Sequence, residues 1–183
     1  MSDYFQGKSA WVFGGSQGIG LALAEQLKQR GARLTLVARR APLLEQEGNR
    51  LGAAWMSLDV GDYAQTDLAV HQLLVEQGPP QLVFNCAGLA LPGYLTDLSS
   101  ADIVAMNQVN YLGTVHVCKA VLPTLLRQGS GHIVNLSSIF GIIAPPGQTA
   151  YCAAKFAVRG FSESLRHELA MANSPVRLSV VHP

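Results

Sequence analysis

The chain has 183 residues, of which 49% are hydrophobic and 14% are charged, and its formal net charge is +1 at pH 7. This length favours a single domain over residues 1–183, and the near-zero charge excludes a general attraction to nucleic acid or to an acidic membrane. The three cysteines form no CxxC pair and indicate reduced thiols in a cytoplasmic protein, and the five histidines form no ligand-spaced cluster, so we expect no metal site. Met1 to Lys8 lacks the apolar core of a signal peptide, and no apolar run reaches the roughly 18 residues that a membrane span needs.

The first predicted strand is the apolar run Ser9–Phe13, and a glycine-rich segment leads from it into a helix expected from about Ile19 to Arg30. Glycines allow a tight turn and a close approach of backbone to a ligand, and the helix N-terminus offers free N–H groups to a phosphate. A turn whose glycines serve packing alone is the alternative, but a position between the first strand and the first helix favours dinucleotide binding. The candidate cofactor contacts in this segment are Gly14, Ser16, Gln17, Gly18, Ile19 and Gly20.

The second predicted strand, Arg33–Ala38, ends in Arg39-Arg40. Dinucleotide folds that prefer NAD usually place a carboxylate at this point, where it accepts hydrogen bonds from the adenosine ribose. Here two guanidiniums stand in its place, and each can bind a 2′-phosphate bidentately. The sequence therefore favours NADP(H) over NAD(H), with Arg39 and Arg40 as candidate cofactor contacts. The alternative is that one or both arginines are solvated loop charges.

The third and fourth predicted strands, over 53–58 and 81–85, are followed by small or polar residues. In an open α/β sheet such strand ends line the ligand crevice. Asp59 has two open interpretations, contact with the adenine ring or a turn or N-cap role. The segment 85–88 either runs along the cofactor ribose or braces its strand. The candidate cofactor contacts at these two strand ends are Asp59, Val60, Asn85, Ala87 and Gly88.

A long helix is expected from about Ala101 to Arg127, with Ser99 or Ser100 as its cap. Pro123 lies inside this helix and predicts a kink or a local break, because proline lacks a backbone N–H. Asn110 lies near the middle, where asparagine is a poor helix former. Asn110 is therefore either a solvated residue or a polar group with a functional role.

Tyr151 and Lys155 lie four residues apart in a helix expected over Thr149–Met171, so they share one face about one turn apart. A phenol beside a fixed ammonium is a plausible acid/base, although many helices carry this spacing as a solvated pair. The preceding strand, His132–Leu136, ends in a serine pair whose second member is Ser138. This placement puts Ser138 at the ligand edge of the sheet.

Strands and helices alternate along the chain, with further helices over 41–51 and 63–77 and a sixth strand over 176–181. Such alternation is typical of a parallel sheet whose two faces are covered by helices. The sequence thus predicts an α/β fold, a three-layer doubly wound parallel sheet (Rossmann fold).

These motifs, in their order and register, resemble those of the classical short-chain dehydrogenases/reductases. Gly14-x-x-x-Gly18-x-Gly20 is similar to the cofactor loop of that family, and Asn85-x-Ala87-Gly88 is similar to its Asn-x-Ala-Gly motif. Three short segments, 14–16, 37–39 and 110–113, are similar to those of the 3-ketosphinganine reductase branch and of broad bacterial reductases. The further matches are the helix asparagine, the catalytic serine and the Tyr-x-x-x-Lys motif, at Asn110, Ser138, Tyr151 and Lys155.

The resemblance implies hydride transfer between a nicotinamide and a small-molecule ketone or secondary alcohol. Tyr151 would exchange a proton with the substrate oxygen, and Ser138 would hydrogen-bond the same oxygen. Lys155 would favour the ionised phenol and hold the nicotinamide ribose, so Tyr151 and Lys155 also count as cofactor contacts. Asn110 would help to hold an ordered water near Lys155. The resemblance further implies a homodimer or homotetramer formed through the long helices.

Two features depart from the family pattern. Phe13 stands where members often have a threonine whose hydroxyl ties the cofactor loop. The chain stops at Pro183, so we expect a C-terminally truncated fold without the last strand and the substrate lid, which would expose a sheet edge and open the site to water. This motivates an alternative function, a nucleotide-binding module without catalysis, such as a truncated regulator or partner protein. The apolar segment Ile142–Pro146 fits an aliphatic or lipid-like substrate and simple loop packing equally well.

Overall fold

The computed structural model describes residues 4–183, and within them the chain forms six strands and six α-helices. The strands are β1 (Ser9–Phe13), β2 (Arg33–Ala38), β3 (Ala54–Ser57), β4 (Leu82–Asn85), β5 (His132–Leu136) and β6 (Arg177–Val181). The α-helices are α1 (Gly18–Gln29), α2 (Ala41–Leu51), α3 (Tyr63–Gln77), α4 (Ser100–Asn107), α5 (Gly113–Gln128) and α6 (Thr149–Met171). A π-helical segment, Gln108–Leu112, joins α4 to α5, and a 3₁₀ turn, Ile139–Gly141, follows β5.

The sheet is parallel throughout, with the strand order β3-β2-β1-β4-β5-β6. The chain moves outward from β1 to β3 on one side and then returns to β4 on the other, so the order reverses between β1 and β4. Phe13, the last residue of β1, pairs with Val37 on one side and with Asn85 on the other. Ligands of doubly wound sheets bind at such a reversal, outside the carboxyl ends of the strands. The three-layer doubly wound fold predicted from the sequence is confirmed.

The hydrophobic core lies on both faces of β1, whose five residues are all buried. Because side chains alternate along a strand, Ala10 and Val12 pack with α1 and α2, and Trp11 and Phe13 pack with α3 and α5. A strand buried on both faces is continuously apolar, which is why the sequence signal for β1 was clear. The helices thus hold the carboxyl end of β1 in a fixed position at the centre of the sheet.

Two helix starts follow directly from capping side chains. Ser99 and Asp102 form a capping box at α4: the Ser99 hydroxyl accepts from the backbone N–H of Asp102 at 3.1 Å, and the Asp102 carboxylate accepts from the backbone N–H of Ser99 at 3.1 Å. This confirms Ser99 as the cap. At α3 the cap is Asp62, whose carboxylate accepts from the backbone N–H of Gln65 at 3.0 Å.

The single long helix expected over 101–127 is interrupted at Asn110, and no local break occurs at Pro123. Pro123 is inside the continuous helix α5, whose face with Val121 and Leu125 is buried in the core. Proline removes one helix hydrogen bond, and the burial of this face holds the helix together. At Asn110, the side chain donates to the carbonyl of Met106 at 2.9 Å, a carbonyl that an α-helix would offer to the backbone N–H of Asn110. The π-helical segment forms where this carbonyl is occupied.

Within residues 4–183, no helix is both long enough and apolar enough to cross a membrane. In the same residues, β6 pairs only with β5 and forms one edge of the sheet.

Candidate active site

A cleft of about 450 Å³ opens at the carboxyl edge of the sheet, where the strand order reverses. Its volume lies in the range of small-molecule sites. Most of the residues that the sequence singled out line it: Gly14, Ser16, Gln17, Gly18, Ile19, Gly20, Arg39, Arg40, Asp59, Val60, Ala87, Gly88, Ser138, Tyr151 and Lys155. The fold therefore brings together segments that lie far apart in the chain.

The glycine turn after β1 is packed on one side and open on the other. Gly14 has φ +83, and a Cβ there would lie 2.5 Å from the backbone nitrogen of Ala87, so only glycine fits. Gly18 has φ +55 and no atom within 4 Å of an added Cβ. The open side leaves the turn's backbone accessible from the cleft, which fits the close approach of a cofactor phosphate at the start of α1.

The glycine turn is tied to the sheet by backbone hydrogen bonds, although Phe13 offers no side-chain hydroxyl. The backbone N–H of Gly14 donates to the carbonyl of Val37 at 2.7 Å, and the N–H of Cys86 donates to the carbonyl of Phe13 at 2.8 Å. Backbone hydrogen bonds thus tie the start of the turn to both neighbouring strands.

Asn85 is one of two predicted site residues whose side chains do not line the cleft. It is only 3% exposed, and its side-chain amide donates to Asn135 at 2.8 Å and to the Cys118 sulfur at 3.5 Å. These contacts join β4 to β5 and to α5. Of the two interpretations of this segment, the side chain of Asn85 braces the strand, and Ala87 and Gly88 face the cleft.

Asn110 is the other predicted residue outside the cleft lining, and it is fully buried. Its side-chain amide donates to the carbonyl of Leu89 at 2.6 Å, and its oxygen accepts from the N–H of Leu89 at 3.1 Å. A Cβ on Gly88 would lie 3.0 Å from the Asn110 oxygen and 3.9 Å from Nζ of Lys155. Asn110 is therefore a placed polar group that fixes the loop after β4 beside Lys155.

Lys155 is buried, with 4% exposure. The alternative interpretation, in which Tyr151 and Lys155 form a solvated pair, therefore does not hold for the lysine. Its Nζ donates to the carbonyl of Leu136 at 2.9 Å and lies 5.6 Å from the ring centroid of Tyr151. Burial lowers the pKa of Lys155 to about 8. At neutral pH the ammonium still predominates, so a charge is held close to the Tyr151 ring.

Ser138 follows β5, and its hydroxyl accepts from the N–H of Phe140 at 3.2 Å. The Phe140 ring meets Tyr151 edge-on, with centroids 6.4 Å apart and an interplanar angle of 87°. The serine carbonyl lies 3.0 Å from Nδ1 of His182, and the carbonyl of Pro183 accepts from the N–H of Ile139 at 2.9 Å. The segment after β6 thus steadies the serine loop.

His182 was missed in the sequence, where its only signal was its position just after a strand. Cys86 was also not proposed as a site residue, yet it lines the cleft. Burial raises the pKa of its thiol to about 12, so Cys86 is a neutral thiol near neutral pH.

Arg39, Arg40 and Asp59 all line the cleft. Nη1 of Arg39 lies 3.7 Å from Oδ2 of Asp59, and Arg40 donates to the side-chain oxygen of Gln17. Asp59 also accepts from the N–H of Gly61 at 2.9 Å. It thus has the turn role that the sequence left open, and the N-cap of α3 is Asp62 instead.

Ile142 and Ile143 are 46% and 53% exposed, and the carbonyl of Ile143 lies 4.0 Å from the sulfur of Cys152, the residue after Tyr151. The N–H of Gly93 donates to the carbonyl of Gly147 at 2.9 Å, which joins the loop after β4 to the segment that follows Ile143. Leu95 of that loop is 62% exposed. Neither isoleucine is among the residues that line the cleft itself.

The fold and the cleft at its strand reversal define a doubly wound α/β protein of the Rossmann class. The family model of the short chain dehydrogenases matches residues 8–183. The chain belongs to this family of oxidoreductases.

Individual relatives agree with this assignment. The oxidoreductase SadH of Mycobacterium tuberculosis is 39% identical over 186 residues, which cover 98% of this chain and 67% of that protein. The 3-ketodihydrosphingosine reductase of Bos taurus is 35% identical, over 94% of this chain and 54% of that protein. A short chain dehydrogenase/reductase from Burkholderia phymatum, solved in complex with NAD, superposes with a TM-score of 0.93 at 32% identity and covers 100% of this chain and 67% of that one. The chain thus spans about two thirds of SadH and of the Burkholderia protein, and about half of the bovine enzyme.

Proposed function

We propose that the protein is an NADP(H)-dependent oxidoreductase that transfers a hydride between the nicotinamide and a ketone or secondary alcohol. The observation that carries the proposal is the buried ammonium of Lys155, held 5.6 Å from the Tyr151 ring in the cleft that Ser138 also lines. A buried lysine is costly unless it is used or compensated. Here the hydrogen bond to the carbonyl of Leu136, which also lines the cleft, compensates part of this cost.

Each of these side chains has a chemical task. Tyr151 gives a proton to the substrate oxygen during reduction and takes one during oxidation. Ser138 donates a hydrogen bond to the same oxygen and stabilises its developing charge. Lys155 favours the ionised form of the phenol by its positive charge and holds the cofactor ribose. Asn110 fixes Leu89 and supports an ordered water near Lys155. The bound nicotinamide supplies or accepts the hydride.

The cofactor preference rests on Arg39 and Arg40, both of which line the cleft where NAD-preferring folds carry an acid. The structural relative from Burkholderia was solved with NAD, so the choice between the two cofactors is a proposal about this chain's own residues. Gly14, Ser16, Gln17, Gly18, Ile19 and Gly20 would cradle the pyrophosphate, and Val60, Ala87 and Gly88 would flank the adenosine and ribose parts.

A charge reversal tests the phosphate assignment. Arg39→Asp should weaken NADPH binding by at least about tenfold relative to NADH, because an ion pair with the phosphate becomes a repulsion. Arg33→Asp is the matched control, since Arg33 lies on the same strand at the opposite end of the sheet. If the ratio of the two affinities does not move in Arg39→Asp, the assignment is wrong.

For the substrate, we propose an aliphatic or lipid-like ketone or alcohol. Ile142, Ile143 and Leu95 are exposed apolar side chains, the carbonyl of Ile143 lies near Cys152, the residue after Tyr151, and one relative is named a 3-ketodihydrosphingosine reductase. Along a series of ketones, kcat/KM should rise about twofold to fourfold for each added methylene until the surface is covered. Ile143→Asn should flatten this dependence. Val75→Asn is the control, because Val75 is exposed on α3 and does not line the cleft. This variant should leave the dependence on chain length unchanged.

The direct test of the proposed activity is a panel of carbonyl compounds with NADPH and NADH, run on the longest chain that the source encodes. Oxidation of NADPH with one or more ketones supports the proposal. Binding of NADPH with no oxidation across the panel would favour the alternative, a nucleotide-binding module without catalysis. The cytoplasmic location and the homodimer or homotetramer remain predictions from the sequence.

A further inference from the structure

We infer that Asp59 is a specificity-determining residue that weakens the capture of a 2′-phosphate by Arg39 and so keeps the site open to both phosphorylated and unphosphorylated adenosine. This inference rests on the proposed cofactor site. The contact between Arg39 and Asp59 joins two segments that are separate in the sequence, because Arg39 follows β2 and Asp59 lies beyond β3.

The ion pair is built into the ends of two adjacent strands. Nη1 of Arg39 and Oδ2 of Asp59 are 3.7 Å apart, and both side chains line the cleft. The second carboxylate oxygen of Asp59 accepts from the N–H of Gly61 at 2.9 Å, which fixes its direction. The backbone carbonyl of Arg39 accepts from the Ser57 hydroxyl at 3.0 Å, which anchors the backbone that carries the guanidinium.

The two arginines differ in their partners. Arg40 donates to the neutral side-chain oxygen of Gln17, so a phosphate can compete for its guanidinium without meeting a negative charge. Arg39 faces the carboxylate of Asp59. A phosphate that binds Arg39 must therefore displace an anion and then remain close to it.

The charge balance gives the direction of the effect. A phosphate monoester carries a charge between about −1.5 and −2 at neutral pH, and a carboxylate a few ångströms away repels it. Adenosine without the 2′-phosphate has no such charge, so Asp59 penalises only the phosphorylated ligand. Both side chains are about half exposed, at 55% and 45%. Salt and water therefore screen the effect and keep it moderate.

A contact between Asp59 and the adenine ring would have a different signature. The adenine is common to both cofactors, so loss of that contact changes both affinities by the same factor. The ratio of the affinities for the phosphorylated and the unphosphorylated ligand therefore distinguishes repulsion of the phosphate from contact with the adenine. Either affinity by itself does not.

The test uses the 183-residue chain with adenosine 2′,5′-bisphosphate and 5′-AMP, titrated by calorimetry without any turnover. Asp59→Asn keeps the shape of the side chain and its hydrogen bond from Gly61 but removes the charge. The preference for the bisphosphate over 5′-AMP should rise about threefold to tenfold at low salt, and the gain should shrink at about 0.5 M salt.

Asp62→Asn is the matched control, because it removes the same charge from the same loop. Asp62 caps α3 and is not among the residues that line the cleft. Asparagine also caps helices well, so the fold is preserved. The preference in this variant should stay within about twofold of the wild type.

Two outcomes would overturn the inference. If Asp59→Asn changes both affinities by one common factor, or changes neither, Asp59 does not act on the phosphate. If the wild-type chain binds neither ligand, the proposed cofactor site fails and the inference fails with it. The first result contradicts the role of Asp59 alone and leaves the proposed function standing.

Discussion

Nζ of Lys155 donates a hydrogen bond to the backbone carbonyl of Leu136 at 2.9 Å. Leu136 is the last residue of β5, and Lys155 lies in the second turn of α6. The bond therefore ties the ammonium to the strand end next to Ser138. It also helps to explain how a lysine with 4% exposure is tolerated, since one of its three donors is satisfied by a backbone carbonyl.

The buried ammonium makes stability depend on pH. Burial lowers the pKa of Lys155 from 10.5 to about 8. Between these two values the unfolded chain binds more protons than the folded chain, so this residue's contribution to stability rises with pH. Relative to Lys155→Met, the free energy of unfolding of the wild type should rise by about 3 kcal/mol between pH 7.5 and 10.5. Urea denaturation of both proteins across this range measures the difference.

A difference between the wild type and Lys155→Met that stays flat from pH 7.5 to 10.5 would mean that Lys155 is solvated in the folded protein.

Asn110 should be more important for stability than its position in a helix suggests. Asn110→Ala leaves the N–H and the carbonyl of Leu89 without their partner, which should cost about 2–4 kcal/mol. Asn107→Ala removes one half-buried hydrogen bond to Ile103 and should cost about 1 kcal/mol or less. Chemical denaturation compares the two, and equal losses would contradict the assigned role of Asn110 in fixing the loop after β4.

The two glycines of the turn should respond differently to alanine. Gly14→Ala places a Cβ 2.5 Å from the backbone nitrogen of Ala87 and 2.6 Å from the carbonyl carbon of Cys86, and neither backbone atom can move away easily. We expect a loss of more than about 3 kcal/mol. Gly18→Ala meets no atom within 4 Å and should lose only the roughly 1–2 kcal/mol of a left-handed residue. Thermal unfolding without ligand measures both, and similar melting temperatures would show that the packing against Ala87 is not tight.

Much of the fold could be predicted from local signals. The bounds of β2, α2, α3 and α6 match the expected ones, because apolar periodicity, Pro42 near the start of α2 and the turn at Gly61-Asp62 all act over a few residues. The π-helical segment could not be predicted this way. It depends on the side chain of Asn110 reaching both Met106 and Leu89, and Leu89 lies in a different loop.

The strand ends of the site and the Tyr151–Lys155 pair could be predicted, whereas contacts between side chains of distant segments could not. Parallel topology brings Ser138 to the cleft, and the spacing of four residues places Tyr151 and Lys155 on one face of α6 beside it. The contact of His182 with Ser138 joins residues 44 positions apart, and the pairing of Arg39 with Asp59 depends on the orientation of two flexible side chains. Neither has a signature in a single sequence.

Tyr94→Phe is the control for the removal of the Tyr151 hydroxyl group. Tyr94 is 66% exposed in the loop after β4 and does not line the cleft. The variant removes the same hydroxyl group from the same type of residue. Its turnover should equal that of the wild type.

The proposed exchange of a proton between Tyr151 and the substrate oxygen is tested by Tyr151→Phe. The measurement is kcat with the best ketone of the panel, together with the Kd of NADPH from calorimetry. We predict that kcat falls by about 10²–10⁴-fold and that the Kd stays within about threefold of the wild type. Turnover at the wild-type rate in Tyr151→Phe would contradict the claim.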